Sequence, residues 1–122
     1  MEHHKLVLPE YLNHHGALFG GHLLKWIDEV AFITANLDYP GQRFVTIGLD
    51  DVAFRHRITN GEILRFVVMR TKQGRTSVEY NIQVFGERDP KRRGVVLFET
   101  HITFVNIDAS GEKLPLRVTK NS

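Results

Sequence analysis

The spacing of apolar residues between residues 20 and 37 predicts a single long α-helix. Most positions of two neighbouring stripes at helical spacing, Leu23-Ile27-Val30-Thr34 and Leu24-Asp28-Ala31-Ala35, are apolar. Together the two stripes cover more than half of the helix circumference, so we expect other structure to wrap around this helix. The dipeptide Pro40-Gly41 ends the helical segment.

Every segment after residue 43 has the character of a β-strand. The alternation is clearest from Val78 to Val84, where every second residue is apolar and points to the same face. A shorter apolar run that Pro9 stops has the same character. The predicted strands are residues 5–8, 44–57, 62–72, 76–85 and 95–108.

Turns and loops separate these predicted strands. Thr59-Asn60-Gly61 is predicted as a hairpin turn, because an Asn-Gly pair adopts positive φ angles at low cost. Gln73-Gly74 is predicted as the next turn, and residues 86–94 as a charged loop. Residues 10–20 are too polar and too rich in glycine for regular structure, so a loop is predicted before the helix.

The order of these elements favours an α+β fold, in which one long helix lies on an antiparallel meander of four strands. The 122 residues provide one core, so we expect a single domain over 1–122 with a tail that frays from about residue 113. A small sheet with long strands has edges that need pairing or covering. We therefore expect a homodimer in which two sheets join edge to edge.

Composition argues against several kinds of function. The chain has no cysteine, which removes disulfides, thiolate metal sites and a cysteine nucleophile, and which fits a cytoplasmic location. The formal charge of +2 is too small to indicate a nucleic-acid partner. No apolar run reaches the roughly 18 residues of a membrane span, so no membrane partner is expected. The seven histidines lack the spacing of a helical metal site, and no metal is predicted.

One carboxylate and one pair of glycines point towards acyl hydrolysis. Gly20 and Gly21 stand where the helix begins, and glycine lets a ligand come close to the free N–H groups of the first turn. Such groups stabilise a developing oxyanion. Asp28 follows Gly21 by seven residues, so it lies near the same helix face, about 10 Å along the axis. A carboxylate there can attack an acyl group or activate water.

The chain resembles the hotdog-fold acyl-CoA thioesterases, specifically their bacterial and animal acyl-CoA hydrolase branch. The resemblance covers roughly residues 8–116, although Arg57 and Glu62 stand where family members often have proline and aspartate. It rests on an ordered set of matches: Asn13, Gly16, Phe19, Gly20 and Gly21; Trp26-Ile27-Asp28-Glu29; Phe54; Gly61-Glu62; Gly74-Arg75-Thr76-Ser77; and Thr103 to Asp108 with Gly111.

This resemblance implies a hotdog fold and hydrolysis of a fatty acyl-CoA to free CoA and a carboxylic acid. It also implies a homodimer, or a hexamer built from three dimers. By the resemblance, Asp28 and Asn13 are catalytic and meet across the dimer, one from each protomer. Asp28 is either nucleophile or general base, and the sequence leaves both open. The other reading of Asn13 is an Asx turn in its loop.

Basic residues are expected along the path of CoA, because CoA carries phosphates. Arg75, Thr76 and Ser77 follow a glycine turn whose N–H groups suit a pyrophosphate, and Arg55 and Arg57 are further candidates. CoA is then part of the substrate and product, and no separate cofactor is predicted. The main alternative is a non-catalytic acyl-CoA binding module on the same fold, which would not need Asp28 or Asn13.

Overall fold

The computed structural model describes residues 1–50 and 52–117 of the chain. It contains one long helix and five strands: β1 Glu2–Leu6, α1 Gly20–Asp38, β2 Phe44–Asp50, β3 Ile63–Gln73, β4 Ser77–Gly86 and β5 Val96–Asn106. Two short 3₁₀ turns lie at Pro9–Tyr11 and Pro90–Arg92. The predicted helix is confirmed with one more residue at its C-terminus, and the predicted α+β class is confirmed.

The five strands form one antiparallel sheet in the order β1-β3-β4-β5-β2. The predicted four-strand meander was therefore wrong in one respect, because β2 pairs with β5 and not with β3. Strands β3, β4 and β5 do follow one another as expected, and Gln73-Gly74 lies at the β3–β4 turn. The order leaves β1 and β2 as the two edges of the sheet.

The run predicted as one strand over 44–57 ends as a strand at Asp50. Further along, the chain runs past the start of α1, where the Leu18 amide donates to the Ile58 carbonyl. Gly61 has a φ of +82°, so the predicted turn at Asn60-Gly61 exists. It leads into β3 without joining two paired strands, since the Gly61 amide bonds to the Val7 carbonyl. The hairpin prediction was wrong for this reason.

One side of α1 packs on the sheet and forms the core. Its buried residues meet the inward-facing residues of the central strands, such as Phe66, Tyr80 and Phe104. The core faces of β3 and β4 alternate with period two, as expected of a sheet with one covered face. The buried positions of the helix are Leu23, Trp26, Ile27, Val30, Ala31, Thr34 and Ala35.

Other apolar residues of α1 stay accessible in the single chain, among them Phe32, Ile33 and Leu37. Phe32 packs against Phe104, whereas Leu37 lines a cavity with Met1 and Val68 on the side of β1 and β3. The edge strand β2 is exposed along most of its length. The helix is thus covered by the sheet on one side and open on the other. In the described part of the chain, no helix is long and apolar enough to cross a membrane.

The C-terminal segment is held more firmly than the predicted tail. The Leu114 amide donates to the Asn106 carbonyl, and the Leu116 amide donates to the Arg75 carbonyl. The Arg117 amide donates to Gln42 Oε1 at 2.8 Å. The tail predicted from about residue 113 stays a prediction: these hydrogen bonds reach as far as Arg117, and the remainder lies outside the described residues.

Candidate active site

Gly20 and Gly21 occupy the first two positions of α1, as predicted. The amides of His22 and Leu23 both donate to the Phe19 carbonyl. The amides of Gly20 and Gly21 have no acceptor among the described residues, as is usual for the first N–H groups of a helix. The two glycines differ in their surroundings. A Cβ on Gly20 would lie 3.0 Å from the Phe54 ring, whereas a Cβ on Gly21 would meet no atom within 4 Å. Gly20 thus permits close packing of Phe54, and Gly21 faces open space.

Asp28 lies in the middle of α1 and is partly buried. The Thr46 hydroxyl donates a hydrogen bond of 2.7 Å to Asp28 Oδ1. Thr46 belongs to β2, so the carboxylate is directed towards the open edge of the sheet. The sequence analysis missed Thr46, because a threonine in an apolar strand carries no local signal that it faces an acid on the helix.

Asn13 precedes the helix in the loop that the sequence predicts. Its Oδ1 accepts hydrogen bonds from the amides of His15 at 2.9 Å and Ala17 at 3.2 Å. Asn13 therefore forms the Asx turn that the sequence analysis gives as the alternative to a catalytic role. The side-chain NH₂ group of Asn13 has no hydrogen-bond partner among the described residues. The turn therefore fixes the side chain by its oxygen and leaves its two donors free.

Asp28 and the helix start are too far apart to act on one carbonyl within a single chain. Seven residues at the helical rise place Asp28 about 10 Å beyond Gly21. An oxyanion donor and an attacking group on the same carbonyl lie within about 6 Å of one another, since each approaches to about 3 Å. Asp28 instead faces the open edge of the sheet at β2.

Arg55 and Arg57 lie at the Gly20 end of the molecule. They contribute to a cavity of about 450 Å³ beside the helix start. An Arg57 guanidinium nitrogen donates to the His15 carbonyl, which ties the segment that follows β2 to the Asn13 loop. The structure thus brings these two predicted CoA contacts together with Gly20.

Arg75 and Thr76 lie elsewhere, in the turn between β3 and β4, and Ser77 is the first residue of β4. This hairpin is near the C-terminal end of α1, where the Tyr39 hydroxyl donates to Gln73 Oε1. A helix of 19 residues is about 28 Å long. Within one chain these three residues are therefore not brought to Gly20 and Gly21.

The polar groups at this far end of α1 form a structural network. The Tyr80 hydroxyl donates to Asp38 Oδ2 at 2.7 Å, and burial together with this bond raises the pKa of Tyr80. The Arg70 guanidinium donates to the Tyr39 hydroxyl at 2.8 Å, and this bond raises the pKa of Arg70. Across the described ranges no cluster of three or more His, Asp or Glu side chains is placed to hold a metal ion.

Comparison with known proteins identifies the family. Residues 15–93 match the family model described as the Thioesterase superfamily. This match covers more than half of the chain, and the chain belongs to that superfamily. The resemblance drawn from the ordered sequence matches is therefore confirmed at the level of the family.

Curated relatives include both animal and bacterial proteins. The mouse protein acyl-coenzyme A thioesterase 11 is 39% identical over 83 residues, which are 68% of this chain and 14% of that protein. Protein VdlD of Helicobacter pylori is 30% identical over 111 residues, 91% of this chain and 63% of VdlD. The chain thus spans less than two thirds of both relatives. The acyl-CoA thioester hydrolase YciA of Salmonella typhimurium is 28% identical, over 93% of this chain and 86% of YciA.

Solved structures confirm the hotdog fold. An acyl-CoA hydrolase from Staphylococcus aureus, in complex with butyryl-CoA, CoA and CoA disulfide, superposes with a TM-score of 0.80 at 33% identity. The superposition covers 97% of this chain and 69% of that chain. The hexameric thioesterase y2039 from Yersinia pestis gives a TM-score of 0.85 at 26% identity, with 94% and 93% coverage.

Proposed function

We propose that this protein hydrolyses acyl-CoA thioesters to free CoA and a carboxylic acid, in a site shared by two copies of the chain. The observation that carries the proposal is the placement of Asp28, bonded to Thr46 at the open edge of a thioesterase-superfamily fold. The names of the bacterial relatives, which describe acyl-CoA hydrolases, support the substrate class.

Asp28 acts on the thioester in one of two ways. As nucleophile, a carboxylate oxygen attacks the carbonyl carbon and CoA leaves as its thiolate, which gives a mixed anhydride; water then opens the anhydride and restores Asp28. As general base, Asp28 takes a proton from a water molecule that attacks the carbonyl directly, and the departing thiolate takes up the proton. Thr46 holds the carboxylate in position in both routes.

The second copy supplies the groups that bind the carbonyl oxygen. We assign this role to the N–H groups of Gly20 and Gly21, which lie at the positive end of the helix dipole. Asn13 comes from the same copy, because its loop leads into that helix start. Its free NH₂ group donates to the thioester oxygen or to the attacking water.

The homodimer follows from the exposed edge. Val45 and Ile47 of β2 are 39% and 60% exposed, and Phe32 of α1, which packs on Phe104 of the neighbouring strand β5, is accessible as well. A strand edge with unpaired backbone groups and exposed apolar side chains is a surface that a second sheet can cover. A further assembly into a hexamer is supported by two hexameric neighbours, from Yersinia pestis and Campylobacter jejuni.

The CoA part of the substrate is assigned to the arginines. Arg55 and Arg57 stand beside Gly20, where the thioester would lie, and their positive charges suit its phosphates. Arg75, Thr76 and Ser77 would contact CoA only from the partner, because within one chain they lie at the far end of α1. We also propose a cytoplasmic location, which the lack of cysteine supports.

The experiment is an assay of free thiol release from a panel of acyl-CoAs of increasing chain length. The wild-type protein should release CoA, and Asp28→Asn should not. Glu29→Gln is the matched control, since Glu29 is the exposed acid next in sequence and should keep wild-type activity. Tight CoA binding without release by any of the three proteins would contradict hydrolysis and support the non-catalytic binding module.

A further inference from the structure

The cavity beside the start of α1 is a largely apolar pocket whose inner end is formed by side chains of the core. We call it the Phe54 pocket; its apolar lining is Ala17, Leu18, Leu23, Phe54, Ile58, Leu97 and Phe98, and Arg55, His56 and Arg57 are its polar lining. Leu23, Leu97, Phe98 and Ile58 are at most 4% exposed and belong to the main core. Side chains packed in a core do not move aside at low cost. The pocket therefore has a fixed inner end.

Phe54 forms the adjustable wall of this pocket. Its ring stacks on Phe98 with 5.1 Å between ring centroids, and it rests against Gly20. The residue is 54% exposed and lies in a segment without regular structure. A larger or smaller side chain at this position can thus change the volume of the pocket that an acyl chain can fill, while the core at its inner end stays intact.

The pocket is continuous with the proposed oxyanion site. Gly20 lines the pocket and also provides the first N–H of α1. A thioester carbonyl bound there has two substituents, an acyl chain and the sulfur of CoA. Only the acyl chain suits an apolar cavity, whereas the anionic part of CoA is better placed at the rim beside Arg55 and Arg57.

A second cavity lies on the other side of the segment after β2. It measures about 550 Å³ and includes Glu99 and His101 in its lining. Both cavities are lined by Arg55 and His56, so the other lining residues decide between them. Glu99 and His101 would lose hydration against an alkyl chain, whereas the Phe54 pocket has Leu18, Leu23 and Ile58 instead. Gly20 does not line the second cavity. Burial of apolar surface and continuity with Gly20 both favour the Phe54 pocket as the site of the acyl chain.

We propose that the Phe54 pocket receives the acyl chain of the substrate and that the Phe54 ring limits the length of chain that fits. The inference rests on the proposed function, because it takes acyl-CoA as the ligand. The volume of about 450 Å³ is in the lower part of the range of about 300–1,000 Å³ for small-molecule sites. The pocket therefore suits short and medium acyl chains.

The test measures binding, so that it does not depend on hydrolysis. S-alkyl-CoA thioethers of increasing length are titrated calorimetrically into the wild-type protein. Affinity should rise about fourfold for each methylene that enters the pocket and should then stop rising once the pocket is full. Phe54→Ala should move that limit to longer chains, and Phe54→Trp should move it to shorter ones.

Phe19→Ala is the matched control, because Phe19 is similarly exposed at the same end of α1 but does not line the pocket. It should keep the wild-type limit. Phe54→Leu provides an intermediate volume should the alanine variant fail to fold. An affinity independent of chain length, or an unchanged limit in the folded Phe54 variants, would overturn the proposal. A clear length limit without any thiol release from acyl-CoA would instead overturn the proposed hydrolysis and leave the pocket assignment standing.

Discussion

The Thr46 hydroxyl donates a hydrogen bond of 2.7 Å to the Asp28 carboxylate, which joins the middle of the central helix to the edge strand β2. The bond fixes the direction of the one acid that the helix carries on its apolar stripes. It also places that acid at the edge of the sheet where a second copy can approach. The carboxylate that the sequence singles out therefore lies at an open edge of the sheet.

Removal of the Thr46 hydroxyl should lower activity without unfolding the protein. Thr46→Val keeps the shape of the side chain and loses the donor. A hydrogen bond to a charged group contributes about 1.5–3 kcal/mol, so kcat for thiol release should fall about tenfold or more. Thr46→Ser keeps the hydroxyl and should keep most of the activity. Equal kcat values for the valine and wild-type proteins would exclude a positioning role for Thr46.

Substitution of Asn13 separates its two possible uses. In Asn13→Ser the shorter side chain still accepts hydrogen bonds from the amides of the turn, but its amide donors are gone. If Asn13 binds the reacting groups, this variant should keep the wild-type melting temperature while kcat falls. The loss should be on the order of 3 kcal/mol, as for other oxyanion donors. Full activity in Asn13→Ser would show that the residue serves only its loop.

The two glycines at the helix start should respond differently to alanine. Gly21→Ala places a methyl group in open space, so the free energy of unfolding in urea should stay unchanged or rise by up to about 1 kcal/mol. The same methyl group obstructs a thioester that approaches the N–H groups, so hydrolysis should fall. Wild-type kcat/KM in this variant would contradict the proposed oxyanion site.

Gly20→Ala should mainly disturb the packing between the start of α1 and Phe54. The new methyl group would lie 3.0 Å from the Phe54 ring, which must move to accept it. We expect a lower free energy of unfolding together with a changed preference for acyl chain length. A urea titration and the chain-length profile of thiol release check the two effects separately. Unchanged values in both would mean that the contact between Gly20 and Phe54 has no role.

Stability should fall in mild acid through His3. Burial, followed by the positive charges of the N-terminal amine and of His4, lowers the pKa of His3 in the folded state. The unfolded state then binds the proton more tightly, so stability is fully present above the unfolded pKa of about 6.5 and decreases as the pH falls below it. His3→Asn should reduce the drop between pH 7.5 and pH 5.5 in urea titrations. An identical pH dependence in both proteins would contradict this assignment.

Local sequence patterns predicted the bounds of the helix and strands more accurately than they predicted which strands pair in the sheet. The helix was expected over 20–37 and spans Gly20–Asp38, and β4 was expected over 76–85 and spans Ser77–Gly86. Both have a strong periodicity that arises from one buried face. The pairing of β2 with β5 was missed, because alternation reports which face of a strand is buried and does not report its neighbour.

The apolar run over 44–57 shows how the pattern can mislead. An apolar residue is found at position 54 because its ring stacks on Phe98 and packs against Gly20. Neither contact requires the segment to be a strand. At the candidate site, the positions of Asp28 and the glycines followed from helical spacing. The contact between Asp28 and Thr46 needed the tertiary structure.

The most direct test of the shared site is complementation between two inactive variants. Asn13→Ala and Asp28→Asn chains are co-expressed with different tags, and mixed dimers are purified for thiol-release assays. Random pairing of equal amounts makes about half of the dimers mixed, and each mixed dimer has one intact site, so an unfractionated sample should recover about one quarter of wild-type activity. Purified mixed dimers should reach about one half. Mixed dimers as inactive as their two parents would contradict a site assembled from both protomers.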